Sequence, residues 1–165
     1  LCRKSRKGVM HMDNYPLHLY GEDSTEYRFT DFDTLKETWE SEDLDTPENN
    51  EIIYDYIWEC IVEIATINKQ KSPHEYPERC DFVQELMKWT DFIFDTDDVQ
   101  LNDYDLYKGW EYQTRIYIHP LSNVPYGLTA QHGSYGELDW AITDFGEMVE
   151  KQRIETYYAF VEEEK

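Results

Sequence analysis

The chain has 165 residues, 40% of them apolar and 16% aromatic, and its 36 acids against 15 Lys and Arg give a net charge of −21. That apolar and aromatic content excludes a disordered acidic tail, a class poor in aromatics. The charge excludes direct binding to nucleic acid or to an anionic membrane surface, because both draw their affinity from Lys and Arg.

Three cysteines, Cys2, Cys60 and Cys80, are too few and of the wrong parity for a disulfide framework. No stretch approaches the roughly 20 apolar residues of a membrane span, and the basic start has no apolar run behind it to make a signal peptide. A reducing, cytoplasmic setting is the expectation. Residues 1–11 contain Arg3, Lys4, Arg6 and Lys7 and no acid. They read as a basic leader, disordered or foreign to the native chain. Residues 12–165 then form a single acidic domain in which 36 acids face 11 Lys and Arg, a net −25.

In chain order, Leu17–Tyr20 and Glu26–Phe29 are short β-like runs around Gly21-Glu22-Asp23-Ser24, which predicts a hairpin. Asp31 or Asp33 suits the cap of a short helix through Glu40, with Leu35 and Trp39 on one face. The longest predicted helix covers residues 47–68. Thr46 is its N-cap, Pro47 fits its first position, Ile53, Ile57, Ile61 and Ile64 repeat at helical spacing, and Lys69 complements the dipole at its end. After a loop flanked by Pro73 and Pro77, a third helix is expected over about 77–91, with Phe82, Leu86, Trp89 and Ile93 as its stripe.

An acidic connector, Asp95 to Asp105, follows, and the period then changes to two. Trp110, Tyr112, Thr114, Ile116 and Ile118 fall on one face of a strand, and Glu111, Gln113, Arg115 and His119 on the other. A second strand is expected near Tyr126–Gln131. A fourth helix is expected over about 137–151, with Leu138, Ala141, Ile142, Phe145 and Val149 as its stripe, and a closing strand over Arg153–Val161. The implied class is α+β: a mainly antiparallel sheet, from an N-terminal hairpin and C-terminal strands, packed with about four helices.

Chemistry leaves few marks. His74, Cys80, His119 and His132 lack the paired spacing of a structural zinc site. Asp95, Asp97 and Asp98 lack the Gly and Glu that complete an EF-hand loop. Asp144-Phe145-Gly146 spells a kinase magnesium motif but has no glycine-rich loop or HRD partner. No nucleotide fingerprint or nucleophile elbow is present. Neither a cofactor nor a metal is expected, and an enzyme is not the favoured class.

The distribution of acids is more informative. Glu37 through Asn68 contains ten acids and no Lys, Arg or His. Within it, Glu51, Asp55, Glu59 and Glu63 recur every four residues, after Glu48 in the first turn. Four helical residues advance about 6 Å and turn about 40° past a full turn, so these acids form a gently spiralling ridge. One DNA strand spaces its phosphates by about 3.4 Å along the axis, and somewhat farther through space because the strand winds. Flexible carboxylates on the ridge can follow such a row. Like charges at this spacing oppose helix formation by a few tenths of a kcal/mol per pair, whereas alternating Glu with Lys would favour it.

Asp91, Asp95, Asp97, Asp98, Asp103 and Asp105 form a second acidic patch. Tyr54 beside the ridge, and Tyr104 and Tyr107 beside the patch, are candidate anchors able to receive Arg by cation–π contact. Trp58 and Trp110 read as core.

The expectation is an acidic mimic of nucleic acid that inhibits a basic nucleic-acid-binding protein by occupying its groove. Restriction enzymes, CRISPR effectors, nucleases and repair enzymes are targets of that kind, and such inhibitors are typical of phages and mobile elements. The runner-up is an immunity or adaptor protein that holds a basic partner, such as a toxin nuclease, without imitating nucleic acid. A metal-dependent enzyme using clustered carboxylates ranks third. A homodimer would join two short acidic rows into a longer one.

Overall fold

A computed structural model describes residues 16–72, 75–90, 99–105, 110–133 and 141–162. Among them lie three α-helices and six strands in two antiparallel sheets, which makes the protein α+β. The leader 1–11 lies outside the described residues.

The first sheet is the hairpin of β1 (Leu17–Tyr20) and β2 (Glu26–Phe29), with Leu17 opposite Phe29 and Tyr20 opposite Glu26. The chain reverses through a single 3₁₀ turn, Glu22–Ser24. Gly21 fits there because a Cβ at this position would lie 2.9 Å from the Tyr27 ring. Helix α1 (Phe32–Ser41) is capped by Asp31, whose carboxylate accepts from the Asp33 amide at 2.9 Å and the Thr34 hydroxyl at 3.1 Å. Its Trp39 meets Trp89 edge-on, with centroids 4.9 Å apart.

Helix α2 (Pro47–Lys69) is the axis of the molecule. Thr46 Oγ1 accepts from the Asn49 amide at 3.2 Å. Ile53, Ile57, Cys60, Ile61 and Ile64 are buried on the inward side, in one core with Leu17, Leu19, Phe29, Leu35, Leu128 and Ile142. Two buried asparagines fasten its ends. At the start, Asn49 donates to the Tyr20 and Leu44 carbonyls (2.8 and 2.9 Å) and accepts from the Tyr20 amide (2.9 Å). At the end, Asn68 donates to the Glu78 and Ile142 carbonyls (3.0 and 2.6 Å) and accepts from the Glu78 amide (2.6 Å). Each amide side chain thus satisfies backbone groups that burial would otherwise leave unpaired.

Helix α3 spans Asp81–Trp89, shorter than the 77–91 expected. The Asn68 contacts hold the preceding residues, around Glu78, as an extended strap on the end of α2, so the helix starts only at Cys80, its N-cap. Phe82 and Leu86 are buried as the stripe requires, and Trp89 is half-buried. Ile93 lies outside the described residues.

The second sheet is a meander in the order β3-β4-β5-β6, comprising Val99–Asp105, Trp110–Ile118, Pro125–Gly133 and Ala141–Glu147. Three expectations change here. The end of the acidic connector is strand β3, at the sheet edge. Charged residues suit that position, since they discourage uncontrolled edge pairing.

The fourth helix does not form where the structure is described: Ala141–Glu147 is β6. The cause is a bulge. Register shifts between Thr129 and Ala130 and leaves Thr143 as the extra residue, so Ile142, opposite Ala130, and Phe145, opposite Leu128, share the core face although they are three residues apart. That spacing breaks the period of two and imitates a helix. Leu138 lies outside the described residues, and Val149 is exposed. Finally, Arg153–Val161 runs without strand pairing and is exposed throughout.

The face of β4 that meets α2 is also not its most apolar one. Tyr117 packs toward the core, and its cross-strand partner is Tyr126, while Arg115 stands opposite buried Leu128. Ile116 and Ile118 therefore lie on the far face, where Ile118 is exposed. Asp144 and Phe145 of the kinase-like tripeptide are ordinary strand residues. Asp144 pairs with Lys69 at 3.5 Å, and Phe145 stacks on Tyr126 at 5.3 Å. Among the described residues, no helix is long and apolar enough to cross a membrane.

Candidate functional site

The outward side of α2 carries the acidic ridge. Glu48, Glu51, Asp55 and Glu59 are exposed, and Glu63 is half-buried. Glu63 differs because the row is not parallel to the helix axis. Each step of four residues turns it by about 40°, so by the third step it has swung about 120°, to the margin where the helix meets the sheet. Among the described residues, none gives an ion-pair partner to Glu51, Asp55 or Glu59. Glu48 sits in the first turn, where a carboxylate complements the helix dipole.

Where the ridge reaches the sheet, an open groove of about 610 Å³ is lined by Asp55, Trp58, Glu59, Val62, Glu63 and His119. Three of the acids anticipated from sequence therefore share a surface with an aromatic ring, an exposed valine and a histidine. Trp58 is half-buried and sits in an aromatic box. Its ring meets His119, Tyr126 and Phe145 edge-on, with centroids 4.3, 4.8 and 5.1 Å away. This box fixes the indole at the groove wall and couples α2 to β5 and β6.

His119 closes the end of β4. Its backbone N–H donates to the Val124 carbonyl at 2.9 Å, and its Nδ1 accepts from the Leu121 and Ser122 amides at 3.1 and 3.3 Å. An Nδ1 that accepts leaves the proton of the neutral ring on Nε2. The imidazole thus lines an acidic groove with its tautomer set by the turn behind it.

The remaining candidates are distributed differently. Tyr54 is half-buried against the core rather than standing free beside the ridge. Tyr56 is buried, with its ring edge-on to Phe82 at 6.0 Å. Asp103, Tyr104 and Asp105 are on β3, in register with Tyr112, Glu111 and Trp110. Asp91, Asp95, Asp97, Asp98 and Tyr107 lie outside the described residues, as does His74. Cys60 and Cys80 are buried. Among the described residues, no three of His, Cys, Asp and Glu are grouped as metal ligands would be.

Sequence reasoning missed Val62 and His119 as groove residues; Trp58, read as core, packs against the core and also lines the groove. Val62 had a signal: it is apolar but falls outside the Ile53–Ile57–Ile61–Ile64 stripe, among acids. His119 had none, because it reaches the groove only through the pairing of β4 with β5. Compared with known proteins, the chain matches no family model, no curated protein and no solved structure.

Proposed function

We propose that this protein is an acidic decoy that binds the basic nucleic-acid groove of another protein through the outward side of α2. One observation carries this reading: Glu51, Asp55 and Glu59 stand exposed at successive helical turns, with no cation placed against them among the described residues. In such a complex the carboxylates take the positions of successive phosphates against the partner's Lys and Arg. Trp58, held by its aromatic box, offers a π-face to an Arg entering the groove. Association is fast and falls with salt, as expected where charge steers the encounter.

A second reading, an adaptor or immunity protein for a basic partner, draws support from Val62. It is 47% exposed in the middle of the acidic surface, beside Trp58. An apolar spot of that kind has no counterpart in a phosphate row and suits an anchor side chain from a protein partner. The two readings separate on exclusion. Capture of the partner from the source cell, followed by competition with its DNA or RNA, gives mutual exclusion for the decoy. A ternary complex with nucleic acid still bound rejects it and leaves the adaptor. A captured partner with no basic groove rejects both.

A further inference from the structure

Among the described residues, nothing packs against the apolar surface of the segment after β6. Val149, Ile154, Tyr157, Tyr158, Phe160 and Val161 are between 78% and 101% exposed. The segment is not linker-like: Tyr157–Val161 is apolar without interruption, the pattern of a strand covered on both faces. Lys151–Val161 also interrupts the acidity around it, holding Lys151, Arg153 and the single acid Glu155 between Glu150 and Glu162.

Folding back on its own sheet is disfavoured by the sequence between. Glu147 through Val161 contains no Gly, Pro, Asn, Asp or Ser, the residues that reverse a chain tightly. Met148 instead prolongs the line of β6. Its amide donates to the Pro125 carbonyl at 2.9 Å, and its side chain fills the space over Gly127, where a Cβ would lie 2.7 Å from Sδ.

The sheet offers a matching vacancy. Of its two edge strands, β6 is partly closed, because α2 packs on it and Asn68 occupies the Ile142 carbonyl. Among the described residues, the edge strand β3 pairs only with β4, and it carries Asp103 and Asp105. The sheet face opposite α2 carries Ile116 and the exposed Ile118.

We propose that residues 148–161 form an exchange arm, adding as a strand to β3 of a second copy of this chain and receiving that copy's arm in return. The two sheets then stack by their far faces. Residues 148–152 span up to about 17 Å, enough to cross the roughly 10 Å between stacked sheets. The arm is itself neutral, with Lys151 and Arg153 against Glu150 and Glu155, so it enters the acidic receiving surface without adding to the repulsion between two anionic bodies. Tyr157, Tyr158 and Phe160 alone bring roughly 450–750 Å² per arm into the contact. Two arms and the surfaces they cover exceed the roughly 1,200–2,000 Å² of a specific interface. The inference stands independently of the acidic ridge.

Sedimentation of the full chain over about 1–100 µM, a range that brackets micromolar affinity, shows a monomer–dimer equilibrium. Tyr158→Asp and Phe160→Asp leave the circular dichroism of the monomer unchanged, because both side chains are fully exposed, and weaken dimerisation about 30-fold or more. Hydrogen exchange slows together at residues 153–161 and 99–105 as the dimer forms. Three results overturn the proposal: a chain that stays monomeric over the whole range, a dimer indifferent to both substitutions, and an arm already protected in the monomer.

Discussion

The inward side of α2 carries Ile53, Ile57, Cys60, Ile61 and Ile64, all buried, whereas its outward side carries Glu48, Glu51, Asp55 and Glu59, all exposed. The inward side is also tied at both ends by Asn49 and Asn68, which leaves the helix no freedom to rotate its stripe. That rigidity presents the acids as a fixed row rather than a diffuse cloud of charge. The cost of the row, like-charge repulsion of a few tenths of a kcal/mol per neighbouring pair, is small beside the burial that opposes it. The helix can therefore bear an arrangement that an isolated helix would resist.

Substitutions on the two sides of α2 should change stability in opposite directions. The largest effect is expected inside: Ile57→Ala or Ile61→Ala should lower unfolding free energy by about 2–5 kcal/mol, read from urea melts. Next is Asn68→Ala, which strips partners from the Glu78 and Ile142 backbone and should cost about 1–3 kcal/mol. Its hydrogen-exchange signature should be faster opening of the strap before α3 and of β6, the two segments that Asn68 ties to α2. Thr46→Ala removes the cap and should cost about 0.5–2 kcal/mol. On the outward side the sign reverses. Changing Glu51, Asp55, Glu59 and Glu63 together to Gln should leave the fold intact and raise stability by a few tenths of a kcal/mol per relieved pair, an increment that salt should erase. A loss of stability there would mean the acids hold the fold rather than serve a surface.

The half of the molecule read most directly from sequence was the half built from local signals. The turn at Gly21–Ser24, the Thr46 cap, the isoleucine stripe and the four-residue acid row each specify their element without help from distant residues. Legibility failed where long-range pairing decides. The β5–β6 bulge at Thr143 brings Ile142 and Phe145, three residues apart, to the core face and so imitates a helix. The arm after β6 has strand composition but no reversing residue to return it to its own sheet. The groove depends on both kinds of information: its acids follow from helical spacing, whereas His119 arrives through strand register and the aromatic box through packing across the sheet. Glu63 illustrates the boundary. Its spacing placed it in the row, and the helical drift that the spacing implies moved it to the margin.

The proposed decoy engages its partner through the row on α2 rather than through net charge. Two variants test it, each removing four charges from a chain of −21. One changes Glu51, Asp55, Glu59 and Glu63 to Gln; the other changes the exposed residues Glu22, Asp33, Glu40 and Glu147 to their amides. Titration of each against the captured partner compares equal charge loss at different places. The acidic-row account predicts a drop in affinity of at least about 30-fold for the first variant, the loss expected when binding hot spots are removed, and only the small change of a rim charge for the second. Equal losses from both variants, or an unchanged affinity for the first, would contradict it.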